Sequence, residues 1–263
     1  MRPTGGSWWR ADATLAAAGR RAAALQGEGE GEGALDTGRA TGQQFPSMKT
    51  RIAFLLLTSL LGLLVVRAAD KAAAWTSMFN GKDLSGWKTN DEVPGAFSVE
   101  KGELKVSGGR AHIFYGANGD ASFKNFEFKA KVKTTKGGNS GIYIHTAFEA
   151  KGWPSKGYEC QVNSTHTDVK KTGGLYGVKD VLNNAPSTDD VWFDYYIKVD
   201  GKRIVIQIDG KTTVDYNEPA DWDPAKSLKN MNGRKLSAGT MAIQGHDPKS
   251  TTYYKDLFIR ALP

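Results

Sequence analysis

The chain has 263 residues, with 35 Lys and Arg against 28 Asp and Glu, a formal charge of +7 and 40% hydrophobic residues. That length allows one or two domains, and no Lys/Arg block is interleaved with aromatics as a phosphate-tracking surface requires, which argues against nucleic acid as a partner. The single cysteine, Cys160, excludes an intramolecular disulfide framework, so the fold must rest on its core.

Residues 1–47 run through Gly-Glu repeats with scattered Ala and Arg; they lack apolar periodicity and cannot bury a core. Met48-Lys-Thr-Arg51, the 15-residue apolar run from Ile52 to Val66 and the small residue Ala68 read as a secretory signal peptide over 48–69. The run is shorter than the about 20 apolar residues a membrane span needs. Because a signal peptide begins a protein, translation is expected to start at Met48, which makes 1–47 a start-site artefact. Residues 70–263 are then the functional domain, periplasmic or extracellular, with no membrane contact after cleavage. Residues 1–69 hold eight basic and five acidic residues, so the domain's charge falls to about +4.

From Thr76 to Leu262 the pattern is short β segments divided by Gly, Asn and Asp, without a long helical period. The clearest are Phe97–Val99, Glu103–Val106, His112–Tyr115, Phe123–Thr134, Gly141–Phe148, Tyr158–Asn163, Val191–Val199, Arg203–Ile208, Thr212–Tyr216, Gly239–Gln244 and Tyr253–Ala261. Asp200-Gly201 and Asp209-Gly210 are tight-hairpin sequences, so 191–216 reads as a three-stranded meander. Ser164–Gly174 and Asn217–Ser237 read as rim loops, where binding residues tend to be placed. The whole pattern predicts an all-β sandwich or jelly roll of two sheets.

Three of these segments carry an unusual non-core row. In Asn139-Ser-Gly-Ile-Tyr-Ile-His145, Ile142 and Ile144 alternate with Gly141, Tyr143 and His145. In Gly157-Tyr-Glu-Cys-Gln-Val-Asn163, Cys160 and Val162 alternate with Glu159, Gln161 and Asn163; in Met241-Ala-Ile-Gln-Gly-His246, Met241 and Ile243 alternate with Ala242, Gln244 and His246. Successive strand residues face opposite ways, so each segment buries one row and offers the other. Solvated sheet faces are polar too, but typically through Lys, Glu and Thr, as in Glu127, Lys129, Lys131 and Lys133 of this chain. Tyr, His, Gln and Asn suit sugar and carbonyl recognition, so this face is expected to bind or to catalyse. Cys160, on the buried row, reads as a small hydrophobe.

Phe79-Asn-Gly-Lys-Asp-Leu-Ser-Gly-Trp87, the segments Asn139–His145 and Gly157–Asn163, Thr172-Gly-Gly-Leu-Tyr-Gly177 and Gln244-Gly-His-Asp247 together resemble, in this order, the motif set of the 3-keto-disaccharide hydrolase domain family over about residues 77–262. The resemblance implies a concanavalin A-like jelly-roll β-sandwich of two antiparallel sheets, secretion in bacteria, and action on glycosides oxidised at C3. Many members carry Arg where this chain has His145.

A 3-keto group acidifies the hydrogen on C2, so the C1 aglycone can leave by β-elimination and water can add to the resulting enone. Such a site needs a base near C2, donors near the C3 oxygen and an acid for the departing oxygen. His145 and Glu159 are the first base or acid candidates, with His246 as a further one whose alternative role is to brace its loop; Lys131, expected on a strand hairpinned to that of His145, is placed to stabilise the enolate. Gln161, Asn163 and Gln244 suit hydroxyl recognition, and Tyr143 and Tyr176 suit stacking or hydrogen bonding to the sugar. A carbohydrate-binding module would use the same face without proton transfer. A conventional jelly-roll glycosidase would need a second carboxylate beside Glu159, and no Glu-x-Asp-x-x-Glu strand supplies one. No cofactor is expected: the four histidines show no paired zinc spacing, while Asn118-Gly-Asp120 admits a structural Ca²⁺ or a plain turn. The oligomeric state is left open.

Overall fold

The computed structural model describes residues 73–90 and 92–263; the extension 1–47 and the signal segment 48–69 lie outside the described residues. The strands, in chain order, are β1 (Thr76–Ser77), β2 (Trp87–Thr89), β3 (Phe97–Glu100), β4 (Glu103–Ser107), β5 (Ala111–Tyr115), β6 (Phe126–Thr134), β7 (Asn139–Thr146), β8 (Tyr158–Asn163), β9 (Lys170–Leu175), β10 (Lys179–Leu182), β11 (Phe193–Asp200), β12 (Arg203–Ile208) and β13 (Lys211–Asn217). A helical turn, α1 (Pro224–Ser227), precedes β14 (Thr240–Gly245) and β15 (Thr251–Ala261). The strands form two antiparallel sheets, an eight-stranded one in the order β13-β12-β11-β6-β15-β4-β3 with β1 on β15, and a seven-stranded one in the order β10-β9-β8-β7-β14-β5-β2. This is the all-β, two-sheet jelly-roll sandwich that the alternation predicted.

The period of two builds the core. From the eight-stranded sheet, Phe126, Phe128, Val132, Tyr195, Ile197, Ile204 and Ile206 point inward; from the seven-stranded sheet, Ile113, Ile142, Ile144, Cys160, Val162, Met241 and Ile243 meet them. Each large apolar side chain so buried contributes about 1.5–3 kcal/mol. Cys160 is fully buried, and that burial pushes its thiol up, so it serves as packing. The meander of β11, β12 and β13 forms as expected: Asp200 pairs with Arg203 and Ile208 with Lys211. Gly201 (φ +59°), Asp209 (+47°) and Gly210 (+73°) supply the left-handed turn residues.

Three expectations are corrected. The connection 135–138 does not close a hairpin: β6 belongs to one sheet and β7 to the other, so Lys131 and His145 are not neighbours. The segment read as a loop over Ser164–Gly174 contains most of β9, whose Lys-Lys-Thr-Gly-Gly-Leu sequence lacks the β-branched signal. The segment Asn217–Ser237 contains α1, started by Asp223, whose side chain accepts from the Ala225 N–H, with Pro224 following. At Asn118-Gly-Asp120 the chain makes a turn, with the Gly119 N–H donating to the Gly116 carbonyl at 2.8 Å.

Candidate active site

Strands β8, β7 and β14 lie side by side and carry Glu159, Tyr143 and Gln244 on the outer face of the seven-stranded sheet, because Cys160, Ile142 and Ile243 take the inner positions. Tyr143 pairs with Glu159 across β7 and β8, and Gly141 with Gln161. A Cβ on Gly141 would stand 2.8 Å from Glu159 Oε1, so the missing side chain is what admits the carboxylate over this strand. Tyr143, Glu159, Gln161, Tyr176, Gln244 and His246, joined by Trp153 and Arg234 from loops, line a cleft of about 260 Å³.

The floor of the cleft is one hydrogen-bonded cluster. Glu159 Oε2 accepts from the Tyr143 hydroxyl (2.9 Å) and from Arg234 Nη2 (3.2 Å), and Oε1 accepts from Gln244 Nε2 (2.9 Å). The Arg234 guanidinium also lies 5.1 Å from the Tyr143 ring centroid, within cation–π range. Both charged side chains are 7% exposed, and removing one partner of such a pair leaves the other charge buried, at a cost of about 3–5 kcal/mol. Burial first, and then the Glu159 charge, pushes the Tyr143 phenol well above its ordinary range, so its hydroxyl stays protonated. Arg234 Nε and Nη1, Gln161 Oε1 and Gln244 Oε1 are buried without a hydrogen-bond partner among the described residues. Buried polar atoms are almost always paired; two donors and two acceptors left over around one cleft match a ligand rich in hydroxyl and carbonyl oxygens.

His246 brings a base. Its Nδ1 lies 3.0 Å from Asp247 Oδ2, and since a carboxylate only accepts, Nδ1 carries the ring hydrogen and Nε2 is the basic nitrogen. Burial alone would raise the Asp247 carboxyl, but hydrogen bonds from Ser250, His246 and the Lys249 N–H hold it below its usual value. His166 stands on the other side of Asp247, with Nε2 at 3.5 Å and Nδ1 accepting the Asp168 N–H at 3.0 Å. The ligand atoms of His166, His246 and Asp247 lie within 4.8 Å of one another, a spacing that could hold a metal ion; of the two rings, His246 is hydrogen-bonded to the carboxylate, while His166 Nε2 lies near it. Trp153, 43% exposed, closes this side, its ring 5.4 Å from His246 and 5.7 Å from His112. His112 pairs with Gln244 across β5 and β14 and is fully buried, both ring nitrogens without partners. Burial drags its pKa down to about 3, so it is neutral. Opposite, the Tyr176 hydroxyl donates to Asp168 Oδ2 at 3.3 Å.

Of the expected site residues, Tyr143, Glu159, Gln161, Tyr176, Gln244 and His246 meet in the cleft; His145, Lys131 and Asn163 do not. His145 has φ +54°, and the β7–β14 register shifts between Thr240 and Ala242, so its ring leaves the Tyr143 face and packs edge-on to Phe126 at 5.7 Å. Its Nε2 donates to the Lys124 carbonyl (2.9 Å) and its Nδ1 accepts the Ser237 N–H (3.2 Å), while burial lowers its pKa; no nitrogen remains for a substrate. Lys131 lies on the outer face of the eight-stranded sheet, ion-paired to Asp194 at 2.7 Å. Asn163 Nδ2 donates to the carbonyls of Asp168 and Lys170, and Oδ1 accepts the His166 N–H, so its amide closes the 164–169 loop. Sequence reasoning missed Arg234 and Trp153. An exposed Trp in Gly152-Trp-Pro154, between two site strands, was a readable signal for one; for Arg234 only the rim-loop character of its segment pointed the way.

An antiparallel two-sheet sandwich with an amide- and aromatic-lined cleft on one outer face is the class of molecule these features define. The chain belongs to the family described as the 3-keto-alpha-glucoside-1,2-lyase-like domain, whose model matches residues 74–260. It is similar to the 3-keto-disaccharide hydrolase of Bacteroides thetaiotaomicron, 38% identical over 79 residues, a match that covers 27% of this chain and 27% of that curated relative's length. Two crystal structures of candidate glycosyl hydrolases from Parabacteroides distasonis ATCC 8503 are also similar. One has a TM-score of 0.61 at 22% identity and covers 72% of this chain and 94% of that one; the other has 0.56 at 20% and covers 72% and 100%. At such identities the likeness shows the shared fold.

Proposed function

We propose that this chain is a glycoside-cleaving enzyme that acts on 3-keto-glycosides in the Glu159–Arg234 cleft, by elimination across C1–C2 followed by hydration. The observation that carries the reading is the buried Arg234 guanidinium, two of whose N–H-bearing nitrogens have no protein partner, in one cleft with the Asp247-oriented base His246. Membership of the family and the name of the Bacteroides relative support the substrate class. His246 Nε2 takes the C2 proton, and the electron pair moves into the C2–C3 bond, placing negative charge on the C3 oxygen. Arg234 Nε and Nη1 donate to that oxygen, the role first assigned to Lys131; such preorganised donors are worth about 10²- to 10³-fold in rate each. When the carbonyl re-forms, the C1–O bond breaks, the aglycone leaves with the proton from the His246 imidazolium, and a C1=C2 enone remains. Water then adds at C1 and a proton returns to C2, which completes a net hydrolysis. Glu159 acts as a positioning residue that holds Arg234 and Tyr143, while Gln161 and Gln244 accept from sugar hydroxyls and Trp153 and Tyr176 offer ring faces.

A conventional glycosidase needs two carboxyls about 5–9.5 Å apart, and among the described residues Glu159 is the single carboxylate lining this cleft. The test is to incubate the protein with a 3-keto-disaccharide and with its unoxidised parent. Both sugars should be released from the first and neither from the second; equal rates would return the reading to a conventional glycosidase, and binding without turnover would leave a carbohydrate-binding module. The basic start and apolar run of 48–69 support export to the periplasm or beyond, and among the described residues no helix is long and apolar enough to cross a membrane. Fractionation with intact mass of the product checks this: a cytoplasmic product that retains 48–69 would contradict it.

A further inference from the structure

Beside the cleft runs a groove of about 440 Å³ between the loop carrying Trp153 and Ser155 and the loop carrying Asn230 and Asn232. Trp153 and Arg234 line both spaces, so they form a common wall. The cleft alone, at about 260 Å³, falls below the roughly 300–1,000 Å³ of sites for drug-sized ligands; a disaccharide reaching from it needs the neighbouring space. We propose that this groove is the leaving-group subsite, and that its occupant is a neutral, polyhydroxylated residue, the second sugar of the substrate. The inference rests on the reaction proposed above.

The groove is built into the fold. Lys156 and Gly233 form a bridge between the two loops, and the Gly157 N–H donates to the Gly233 carbonyl at 2.9 Å. A Cβ on Gly233 would stand 1.9 Å from the Ser155 carbonyl oxygen, so the loops approach this closely only because the residue is glycine. The Trp222 ring N–H donates to the Arg234 carbonyl at 2.7 Å and anchors the common wall. Charge selects a neutral occupant, because both cations that line the groove are balanced: Arg110 by Glu92 at 2.6 Å, and Arg234 by Glu159 at 3.2 Å. Asn230 and Asn232 offer amides, which exchange hydrogen bonds with sugar hydroxyls in both directions, while the Ser155 hydroxyl, which donates to Glu149 Oε1 at 2.8 Å, is left to accept. The Trp153 ring, held by the Arg110 guanidinium 5.6 Å from its centroid, gives the apolar platform sugars stack on. Arg234, 5% exposed with Nε and Nη1 unpartnered, stands at the boundary where the scissile bond must cross.

Calorimetric titration with maltose and with methyl α-glucoside tests the subsite without turnover, since neither carries the C3 carbonyl that the elimination needs. Maltose should bind the wild-type protein about tenfold or more tightly than the methyl glycoside, a difference of about 1.4 kcal/mol. Asn232→Ala should bring the two affinities to within about threefold, since amide–hydroxyl bonds of this kind carry that order of energy. Asn230→Gly, which removes an amide while tolerating its φ of +58°, should act in the same direction and serves if the first variant does not fold. Equal affinities in the wild type, or a maltose preference that survives both substitutions, would overturn the proposal. Turnover of the matching 3-keto sugars is read separately: its absence with the maltose preference intact removes the reaction and leaves the subsite.

Discussion

The outer faces of the two sheets are both polar, yet they differ in how their polar groups are partnered. On the eight-stranded sheet Lys131 pairs with Asp194, Lys133 lies 3.8 Å from Glu103, Arg260 bonds Glu127, and lysines lie over aromatic rings, as Lys255 does over Trp192 at 4.0 Å. Those groups answer one another at the surface, where each pair contributes about 0–1 kcal/mol. Over the seven-stranded sheet Glu159 and Arg234 are buried, and Arg234, Gln161 and Gln244 keep atoms without partners among the described residues. Unpartnered buried donors and acceptors, rather than the density of polar residues, mark the functional face.

The largest expected effect separates two histidines close in the sheet. His246→Gln keeps the size of the side chain and removes the base, and should lower the rate on a 3-keto-disaccharide by about 10²- to 10⁴-fold. His145→Gln should leave the rate within a few-fold, and instead lower the melting temperature, because the Lys124 carbonyl and Ser237 N–H lose fitted partners at about 1–3 kcal/mol if left buried and unpaired. A rate collapse in the His145 variant with His246→Gln near native would reverse the two faces.

Next, Arg234→Lys keeps the charge but loses the planar fork. The value of kcat/KM should fall about 10²- to 10³-fold, the cost of a lost oxyanion donor, and steady-state kinetics on both sugars of the pair would read it. A variant with native kinetics would move enolate stabilisation away from this residue.

Period-two alternation is a local property, which is why Tyr143, Glu159, Gln161, Gln244 and the core rows could be read from the chain. His145 broke the pattern through a left-handed φ at a place where backbone crowds it: a Cβ on Gly157 or Gly239 would fall within 3 Å of its carbonyl group. Arg234 reaches Glu159 across 75 positions of sequence from a loop without periodicity, and nothing local announces such a meeting. Lys131 was misassigned because a short connection between two strands ordinarily closes a hairpin, whereas 135–138 passes between sheets.

A smaller effect concerns acid. The folded pKa of His112, about 3, lies below its ordinary 6.5, so the unfolded chain takes the proton first as pH falls. Its contribution to stability is complete above about 6.5 and is lost toward pH 3, at about 1.4 kcal/mol per pH unit for one group. His145 and His166, also lowered, act in the same direction. His112→Phe, which fits an edge-on aromatic site and removes two unpartnered nitrogens, should flatten the fall in melting temperature between pH 6.5 and 4; an unchanged slope would contradict the burial account.

The smallest effect is the control on the opposite sheet. Lys131→Ala should change stability by about 0–1 kcal/mol and leave turnover native, while a loss of rate would place chemistry on the wrong face.

The central claim is that the C2 hydrogen leaves in the Glu159–Arg234 cleft before the glycosidic bond breaks. Cleavage of a 3-keto-disaccharide in D₂O, with the released 3-keto sugar read by NMR at early times against an enzyme-free exchange control, tests it directly. Elimination and hydration predict one solvent deuterium at C2 for each bond broken by the wild-type protein, and slow cleavage by His246→Gln. A product that forms at full rate and keeps protium at C2 would contradict the account.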